Sequence, residues 1–446
     1  MSEDGRAWAG RRLHLVGVGG AGMSAYARAA SALGAVLSGS DAVATPFLQR
    51  LAQDGVLDAA VGHRAENVPA GADVELVYSS AVGPENPERR AARARGLPEW
   101  PRAHLLGELT GLRRTIAVAG THGKTTTASM LVHALRGAGA DPGWLVGAGV
   151  GEGLANGHWS EGEWLVVEAD ESDRSMLEIQ AEIAVVTNVE LDHHSTFASL
   201  AEVREVFSSF LAAPTWAVLW DRTELLELRD GPVVTFDAAA VEALPGGGVA
   251  FPWRGRRVAL AVPGEHNALD AAAALEAARL AGADPSAAAG ALADFHGADR
   301  RFQRLGSSAA GADVYEDYAH HPTEIAATLT AARTLPHRRL VAVFQPHLFS
   351  RTALLAREFG RALALADVVA VLDVYPARER AEDHPGVSGL LVAEATADAA
   401  DGRAVLWLPA RGQALAVLAG RLEQGDLCVL MGAGDVDELA RGLVGQ

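Results

Sequence analysis

The stretch Ala117–Thr127, AVAGTHGKTTT, decides how the rest of the chain is interpreted. It contains Lys124, the only lysine among 446 residues, while every other one of the 38 lysine and arginine residues is arginine. Lysine carries a compact ammonium on a flexible stem, whereas arginine carries a broad planar fork. A lysine kept only here therefore indicates a tight loop that needs a point charge.

The residues around Lys124 predict a phosphate-binding loop. An apolar strand pattern, TIAVAG, precedes it, and a helical pattern, KTTTASMLVHALRGAG, follows it. In this arrangement backbone N–H groups and the lysine hold phosphate oxygens, and the next threonine can bind Mg²⁺. Val118 stands where the standard pattern has its first glycine, so the loop is a variant, and a surface turn with a chance GKT is the alternative. The predicted nucleotide contacts are Gly120, Thr121, His122, Gly123, Lys124, Thr125 and Thr126.

Composition limits the class of protein. The chain is 49% hydrophobic and 21% charged, which is typical of folded domains, and its length suggests several of them. A net charge of −18 argues against nucleic acid or an anionic membrane as the main partner. Without a secretory leader pattern, a long apolar run or a second cysteine beside Cys428, we expect a cytoplasmic protein with a buried thiol.

Short apolar strand patterns alternate with helical patterns along nearly the whole chain, which predicts an α/β protein with parallel sheets. We expect three domains. Residues 1–110 form a Rossmann-like domain, residues 111–298 a central phosphate-loop domain with a mixed sheet, and residues 299–446 a Rossmann-like C-terminal domain. Within the second, the segment GGGVAFPWRGRRVALAVPGEHN alternates and turns, so antiparallel strands are expected there.

A second glycine turn lies near the N-terminus. GVGGAG follows a strand pattern and opens a helix, and Asp41 ends the next strand. This fits a dinucleotide-binding fingerprint, but any nucleotide diphosphate would satisfy the same helix N-terminus. An oxidoreductase that uses NAD and a glycine turn without ligand are the alternatives. The predicted contacts are Gly17, Gly19, Gly20, Ala21, Gly22 and Asp41.

Two residues follow strand patterns of the central domain and predict a metal site. Glu168 ends WLVVEAD and His193 follows IAVVTNVE, so both are expected at the sheet edge that carries the phosphate loop. They could share one Mg²⁺ with phosphate oxygens, and Thr125 could help to hold another. For each other acid of EADESD, a role as helix cap is equally open, and His194 is expected on the surface.

At this point the chain resembles the Mur ligases over essentially its whole length. The matching stretches include GVGGAGM, SSAVGPENPE, GTHGKTTT, EADESD, TNVELDH, GEHNALDAAAA, GADRRFQ, DYAHHPTE and FQPHLFSR. The resemblance favours the alanine-adding branch. It implies that ATP phosphorylates the lactyl carboxylate of UDP-N-acetylmuramate, and that L-alanine displaces the phosphate from the acyl phosphate.

The resemblance also implies residue roles. Arg301 would reach the ATP phosphates, His266 and Asn267 the adenine, and Asp317 the ribose. Ser79 and Ser80 belong to the UDP-sugar domain. His320, His321, His347 and Arg351 would surround the amino acid and the acyl phosphate, with His321 and Arg351 in catalysis. Packing histidines, a solvated Arg301 and a helix cap at Asn267 are the alternatives.

Two departures qualify the resemblance. Leu348 stands where some relatives have arginine, and no lysine downstream of His193 is available for the carbamylated metal ligand of other branches. A ligase that recycles a whole tripeptide onto the same acceptor, and a nucleotide-gated regulatory protein without turnover, are the competing functions. Oligomeric state stays open between monomer and homodimer.

Overall fold

Four β-sheets organise residues 7–194 and 196–445, the part of the chain that the computed structural model describes. These residues divide into two compact units. The first contains residues up to Asp237 together with Leu269–Phe295, and the second contains Ala238–Ala268 together with the residues from His296 onward.

The first sheet of the first unit has five strands, and its strand order reverses direction beside β1. Its strands are β1 (Arg12–Val16), β2 (Val36–Asp41), β3 (Ala60–Val61), β4 (Val74–Tyr78) and β5 (Glu99–Pro101), with helices α1 (Ala21–Ala32), α2 (Pro46–Gln53), α3 (Pro87–Ala94) and α4 (Arg102–Gly111). The order is β3-β2-β1-β4-β5, and all four pairings are parallel. The Rossmann-like prediction for this region is confirmed.

The second sheet of the first unit has seven strands. They are β6 (Arg114–Ala119), β7 (Gly143–Leu145), β8 (Gly157–His158), β9 (Trp164–Glu168), β10 (Ile183–Val186), β11 (Trp216–Trp220) and β12 (Val233–Phe236). The helices that accompany them in sequence are α5 (Lys124–Gly137), α6 (Leu200–Leu211), α7 (Thr223–Leu226), α8 (Glu265–Leu280) and α9 (Pro285–Ala291). The order is β12-β11-β10-β6-β9-β7-β8, and only β7 and β8 pair antiparallel, so the sheet is mixed as predicted.

The second unit contains a small antiparallel sheet and a six-stranded sheet. The first consists of β13 (Glu242–Ala243), β14 (Val249–Trp253) and β15 (Arg256–Leu260), which confirms the antiparallel prediction. The second consists of β16 (Gln303–Ser307), β17 (Asp313–Asp317), β18 (Leu340–Phe344), β19 (Val368–Val371), β20 (Ala404–Trp407) and β21 (Leu427–Met431), with helices α10 (Pro322–Ala332), α11 (Phe349–Leu363), α12 (Gly389–Ala399), α13 (Arg411–Arg421) and α14 (Val436–Val444). Its order is β16-β17-β21-β18-β19-β20, with β16 alone antiparallel.

Central strands such as β6 and β10 are apolar without alternation because both of their faces are covered. Ile116, Ala117 and Val118 of β6 are fully buried, as are the four residues of β10 to within 1%. Parallel strands covered by helices on both faces have this continuous apolar pattern. Cys428 on β21 is also fully buried, as expected. Among the described residues, no helix has the length and apolar character needed to cross a membrane.

A buried carboxylate fixes the first sheet to α3. Glu88 is fully buried, and its oxygens accept hydrogen bonds from Ser40 Oγ and from Asn67 Nδ2 at 2.8 Å, while His14 Nε2 lies 2.8 Å away. Burial alone would raise the pKa of Glu88, but the hydrogen bonds from His14, Ser40 and Asn67 outweigh it and lower the pKa to about 2. The charged form of Glu88 therefore stabilises the fold.

We expect Glu88→Gln to lower the free energy of unfolding by about 2–4 kcal/mol at pH 7, because donors arranged around a buried carboxylate lose their acceptor. Since folding depresses the pKa of Glu88, its contribution is present above the unfolded pKa and is lost as pH falls toward about 2. The difference in free energy of unfolding between Glu88→Gln and the parent chain should stay constant from about pH 8 to 5 and become smaller below about pH 4.5. Urea denaturation across this range measures it, with the exposed Glu66→Gln as control. An equal loss at all pH values would contradict this origin.

Candidate functional site

The predicted phosphate loop lies between β6 and α5, and two of its glycines are required by its geometry. Gly120 has φ +141° and Gly123 has φ +81°, both in the region that side chains rarely adopt. A Cβ on Gly120 would collide with Thr187 Oγ1, and one on Gly123 would lie 2.5 Å from Asp270 Oδ1. Helix α5 begins without a side-chain cap, and a helix N-terminus of this kind can bind an anion.

The segment after β10 fixes the shape of this loop. Asn188 holds two residues of the loop by hydrogen bonds. The Asn188 carbonyl accepts from Thr121 N at 3.1 Å, and Asn188 Oδ1 accepts from His122 N at 2.9 Å. Thr187 Oγ1 donates to the His122 carbonyl at 2.5 Å. The sequence placed Thr187 and Asn188 in a stretch shared with the Mur ligases but gave them no role.

Lys124 lies over its own loop and pairs with an acid that the sequence analysis left as a possible helix cap. Its Nζ donates to the Gly120 carbonyl at 2.6 Å and lies 2.9 Å from Glu171 Oε2. Glu171 is 1% exposed. Burial would lower the pKa of Lys124, but Glu171 and the nearby acids outweigh it and raise the pKa to about 12.

The predicted metal residues fall into two adjacent groups. Glu168 accepts from Thr125 Oγ1 at 2.9 Å and from Gly147 N at 2.8 Å. His193 lies instead beside Glu171, with 3.4 Å between Nε2 and Oε1. Donor atoms of Asp170, Glu171 and His193 all lie within 4.8 Å of one another, so the second group could hold a cation.

His193 has an unusual backbone. Its φ is +53°, and its N–H donates to Asp192 Oδ1 at 2.7 Å. A left-handed conformation is costly for such a residue and persists where the surroundings fix it. The turn aims the imidazole at Glu171.

Arg102 holds the acidic segment from the other side. Its Nε lies 2.6 Å from Asp173 Oδ2, and its Nη2 lies 3.1 Å from Asp170 Oδ2. Burial would raise the pKa of Asp170, but the charges of Arg102 and Lys124 keep that pKa well below its usual range. Nothing in the sequence distinguished Arg102 from the other arginines.

The N-terminal glycine turn has the predicted position between β1 and α1. Gly17 has φ +83°, and a Cβ there would lie 2.8 Å from Ser79 Cβ, which brings the end of β4 against the turn. Asp41 Oδ2 accepts from Gly19 N at 2.8 Å, so this acid shapes the turn. Gly20 precedes α1 as its N-cap and provides no side-chain cap, and Ser80, the residue after Ser79, is exposed.

Several predicted residues of the second unit meet at the carboxyl ends of β17 and β18. The ring centroids of His320 and His347 are 5.8 Å apart, and His347 Nδ1 lies 3.4 Å from Arg351 Nη1. Arg351 is 3% exposed although charged. Leu348, between them, has φ +70°. His321 has a structural task as well, because it caps α10 in a capping box with Glu324.

Asp317 lies in the same unit beside the segment that carries Arg301. Its Oδ2 accepts from Phe302 N at 2.9 Å and its Oδ1 from Ala319 N at 2.7 Å. Burial raises the pKa of Asp317 to about 6, although Arg301 opposes this. Phe302 has φ +46°, and Arg301 extends over the Tyr318 ring, 4.9 Å from its centroid.

His266 and Asn267 lie at the start of α8, in the part of the helix up to Ala268 that belongs to the second unit. Asn267 does not cap the helix, because it lies inside α8 and its Nδ2 donates back to the Pro263 carbonyl at 2.6 Å. Burial lowers the pKa of His266 to about 4, so its ring is neutral near pH 7. A neutral ring and a side-chain amide are suited to contacts with an uncharged heterocycle.

Together these features define an α/β protein in which two glycine turns each precede a helix without a side-chain cap, and one of the turns carries Lys124. Family models confirm and extend this class. The model of the Mur ligase family catalytic domain matches residues 12–114, the Mur ligase middle domain matches 118–278, and the Mur ligase glutamate ligase domain matches 300–434. The chain belongs to the Mur ligase family, and its three successive domains confirm the predicted fold class.

Individual relatives resemble the chain over almost its whole length. UDP-N-acetylmuramate–L-alanine ligase of Kineococcus radiotolerans is 46% identical, over 95% of this chain and 94% of the relative. The enzyme of the same name from Mycolicibacterium smegmatis is 42% identical, over 96% and 93%. The crystal structure of UDP-N-acetylmuramate-alanine ligase from Thermotoga maritima superposes with a TM-score of 0.83 at 26% identity, covering 97% of this chain and 98% of that one.

We expect Glu171→Gln to lower the pKa of Lys124 by about 1–3 units, because an opposite charge within hydrogen-bonding distance shifts a pKa by that much. A sample labelled with ¹⁵N only in lysine gives one ammonium resonance, since Lys124 is the only lysine. Its titration reports the pKa directly. Glu182→Gln, which removes an acid held by Arg114 before β10, is the control and should leave the value near 12. If the pKa of Lys124 were the same in both variants, the pairing of Lys124 with Glu171 would be refuted.

Proposed function

We propose that this chain is an ATP-dependent ligase that joins L-alanine to the lactyl carboxylate of UDP-N-acetylmuramate. The observation that carries the proposal is its likeness to enzymes of that name at 46% and 42% identity over more than nine-tenths of both chains. The two glycine turns agree with a reaction that needs both ATP and a nucleotide-linked acceptor. Ligation of a whole tripeptide is not favoured, because these relatives are named for alanine.

The reaction requires two group transfers. The lactyl carboxylate attacks the γ-phosphorus of ATP, so ADP leaves and an acyl phosphate forms. The amine of L-alanine then adds to the acyl carbon, and inorganic phosphate leaves as the amide forms. Such phosphoryl transfer depends mainly on positioning and on groups that stabilise negative charge.

We assign the ATP contacts to the phosphate loop and to four residues outside it. The loop Gly120–Thr126 would hold the phosphates, with Lys124 at the oxygens of the transferring group. Arg301 would add a second positive charge when the C-terminal domain closes. His266 and Asn267 would contact the adenine, and Asp317 the ribose. In this scheme residues 1–110, 111–298 and 299–446 are the UDP-sugar, ATP and amino-acid domains.

The other predicted site residues are assigned to UDP-N-acetylmuramate and to the amino acid. Gly17, Gly19, Gly20, Ala21 and Gly22, with Asp41, Ser79 and Ser80, would receive the UDP-sugar. The close group of His320, His347 and Arg351, with His321, would position the amino acid and the acyl phosphate. Its charge is suited to a carboxylate and to phosphate oxygens.

The residues near Lys124 fit Mg²⁺. Thr125 Oγ1 and a Glu168 oxygen lie 2.9 Å apart, and Asp170, Glu171 and His193 offer further oxygen and nitrogen donors. Oxygen-rich donor sets that include phosphate are those that Mg²⁺ prefers. When bound, the ion would neutralise charge on the phosphate oxygens. We assign Thr125, Glu168 and His193 to hold it.

Release of phosphate from ATP should require UDP-N-acetylmuramate and L-alanine together, and Lys124→Arg should reduce its rate by at least ~100-fold. The planar guanidinium is too wide for a loop closed by Gly120 and Gly123. A coupled phosphate assay at saturating ATP measures both effects. Arg114→Lys, an exchange of the same type at a surface ion pair, should leave the rate nearly unchanged. Phosphate release at the full rate when UDP-N-acetylmuramate or L-alanine is left out would refute the proposed reaction.

Glu168→Ala should raise the Mg²⁺ concentration needed for half-maximal turnover by about tenfold or more, the scale of a lost metal-site contact. Binding of UDP-N-acetylmuramate without nucleotide, measured by calorimetry, should change little, because the side chain of Glu168 bonds to Thr125 and Gly147 and not directly to the glycine turn after β1. His193→Ala should behave in the same way if the imidazole holds the ion. A lower melting temperature with unchanged Mg²⁺ dependence would instead make either side chain structural.

A further inference from the structure

Arg102 is the first residue of α4, and its guanidinium connects two loops that the proposed function keeps separate. Its side chain is 14% exposed. Nε and Nη2 contact Asp173 and Asp170, and Nη2 also lies 3.4 Å from Ser175 Oγ. Glu171, the partner of Lys124, stands between these two aspartates in the sequence. Arg102 therefore holds the segment that positions Glu171.

The third nitrogen of the same guanidinium faces the N-terminal glycine turn. A Cβ on Gly22 would lie 2.7 Å from Arg102 Nη1, so this nitrogen lies directly against the glycine turn. Gly22 belongs to the first turn of α1, whose N-terminus has no side-chain cap. An anion on that turn would meet both the helix N–H groups and the positive charge of Arg102.

A second connection joins α1 to the metal residues. Asn156 is 2% exposed, and its Nδ2 donates to the Ala21 carbonyl at 2.6 Å and to Ser24 Oγ at 2.9 Å. Its carbonyl accepts from Val146 N at 2.8 Å. The next residue, Gly147, donates its N–H to Glu168. The first turn of α1 is thus linked to Glu168 as well as to Glu171.

We propose that Arg102 is a positioning residue that couples binding of the nucleotide-sugar diphosphate at α1 to binding of ATP at the Lys124 loop. This rests on the proposed function of both turns. An anion at Gly22 draws Nη1 toward itself. This weakens the ion pairs that Nε and Nη2 make with Asp173 and Asp170. Glu171 moves with that segment and releases Lys124 to the ATP phosphates. The coupling is reciprocal, so each ligand tightens binding of the other.

The coupling is measured by calorimetry on the full chain with Mg²⁺ and a non-hydrolysable ATP analogue. The ratio of the analogue's Kd without and with saturating UDP-N-acetylmuramate should lie in the usual range of about 5- to 150-fold for the parent chain. For Arg102→Gln the ratio should fall below about twofold, and Arg102→Lys, which keeps the charge but not the three-way fork, should recover less than half of it on a logarithmic scale.

Arg11→Gln is the matched control. Arg11 is 18% exposed and also bridges two acids, Glu75 and Glu108, at 2.8 Å, but it lies before β1 at the other end of the strand. It should keep the ratio of the parent chain. If Arg102 were merely structural, Arg102→Gln would lower the melting temperature and leave the ratio intact, which would overturn the proposal.

The outcomes separate this inference from the proposed function. If the parent chain does not bind UDP-N-acetylmuramate, both fail, and the first titration shows it. If it binds but leaves the analogue's affinity unchanged, only the coupling is refuted. If Arg102→Gln does not fold, Asp173→Asn removes the same ion pair from the loop side. Loss of the ratio there supports the proposal, and a ratio equal to that of the parent chain overturns it.

Discussion

The ion pair between Lys124 and Glu171 is the interaction on which the arrangement of the site depends. A buried ammonium without a partner would lose its proton or exclude itself from the loop, since desolvation disfavours its charged form. Glu171 prevents this, and it is itself 1% exposed, so it needs neighbours of its own. His193 and Lys124 supply them directly, and Arg102 fixes the flanking aspartates. The lysine, the acidic segment and Arg102 therefore form one electrostatic unit.

The fold and the phosphate loop could be predicted from the sequence because their signals are local. Apolar runs of strand length, glycines where φ is positive, and a lysine just before a helix each lie within a few residues of one another. Glu168 and His193 could be placed near the phosphate loop because residues that follow parallel strands meet at one sheet edge. The sharing of one ion by these two stays a prediction, because the structure places each beside a different partner.

The contacts that were missed are long-range and chemically unremarkable in sequence. Arg102 pairs with acids 68 and 71 residues further along the chain, and only the packing of two sheets decides which arginine does so. Glu171 stands in a run of acids in which each could cap a turn, and two do, since Asp170 and Asp173 accept from Ser172 N and Ser175 N. Asn188 acts through backbone groups of the loop, a role that no residue pattern encodes.

The use of a single lysine has a consequence for the chemistry of the whole molecule. Reagents that acylate or alkylate amines meet one side-chain target in 446 residues, and it is the residue at the phosphate loop. That amine is protonated and held by Glu171, so it reacts only when the pair opens and a proton leaves. The rate at which Lys124 is modified therefore reports how often its ion pair with Glu171 opens, and no label is needed at any other position.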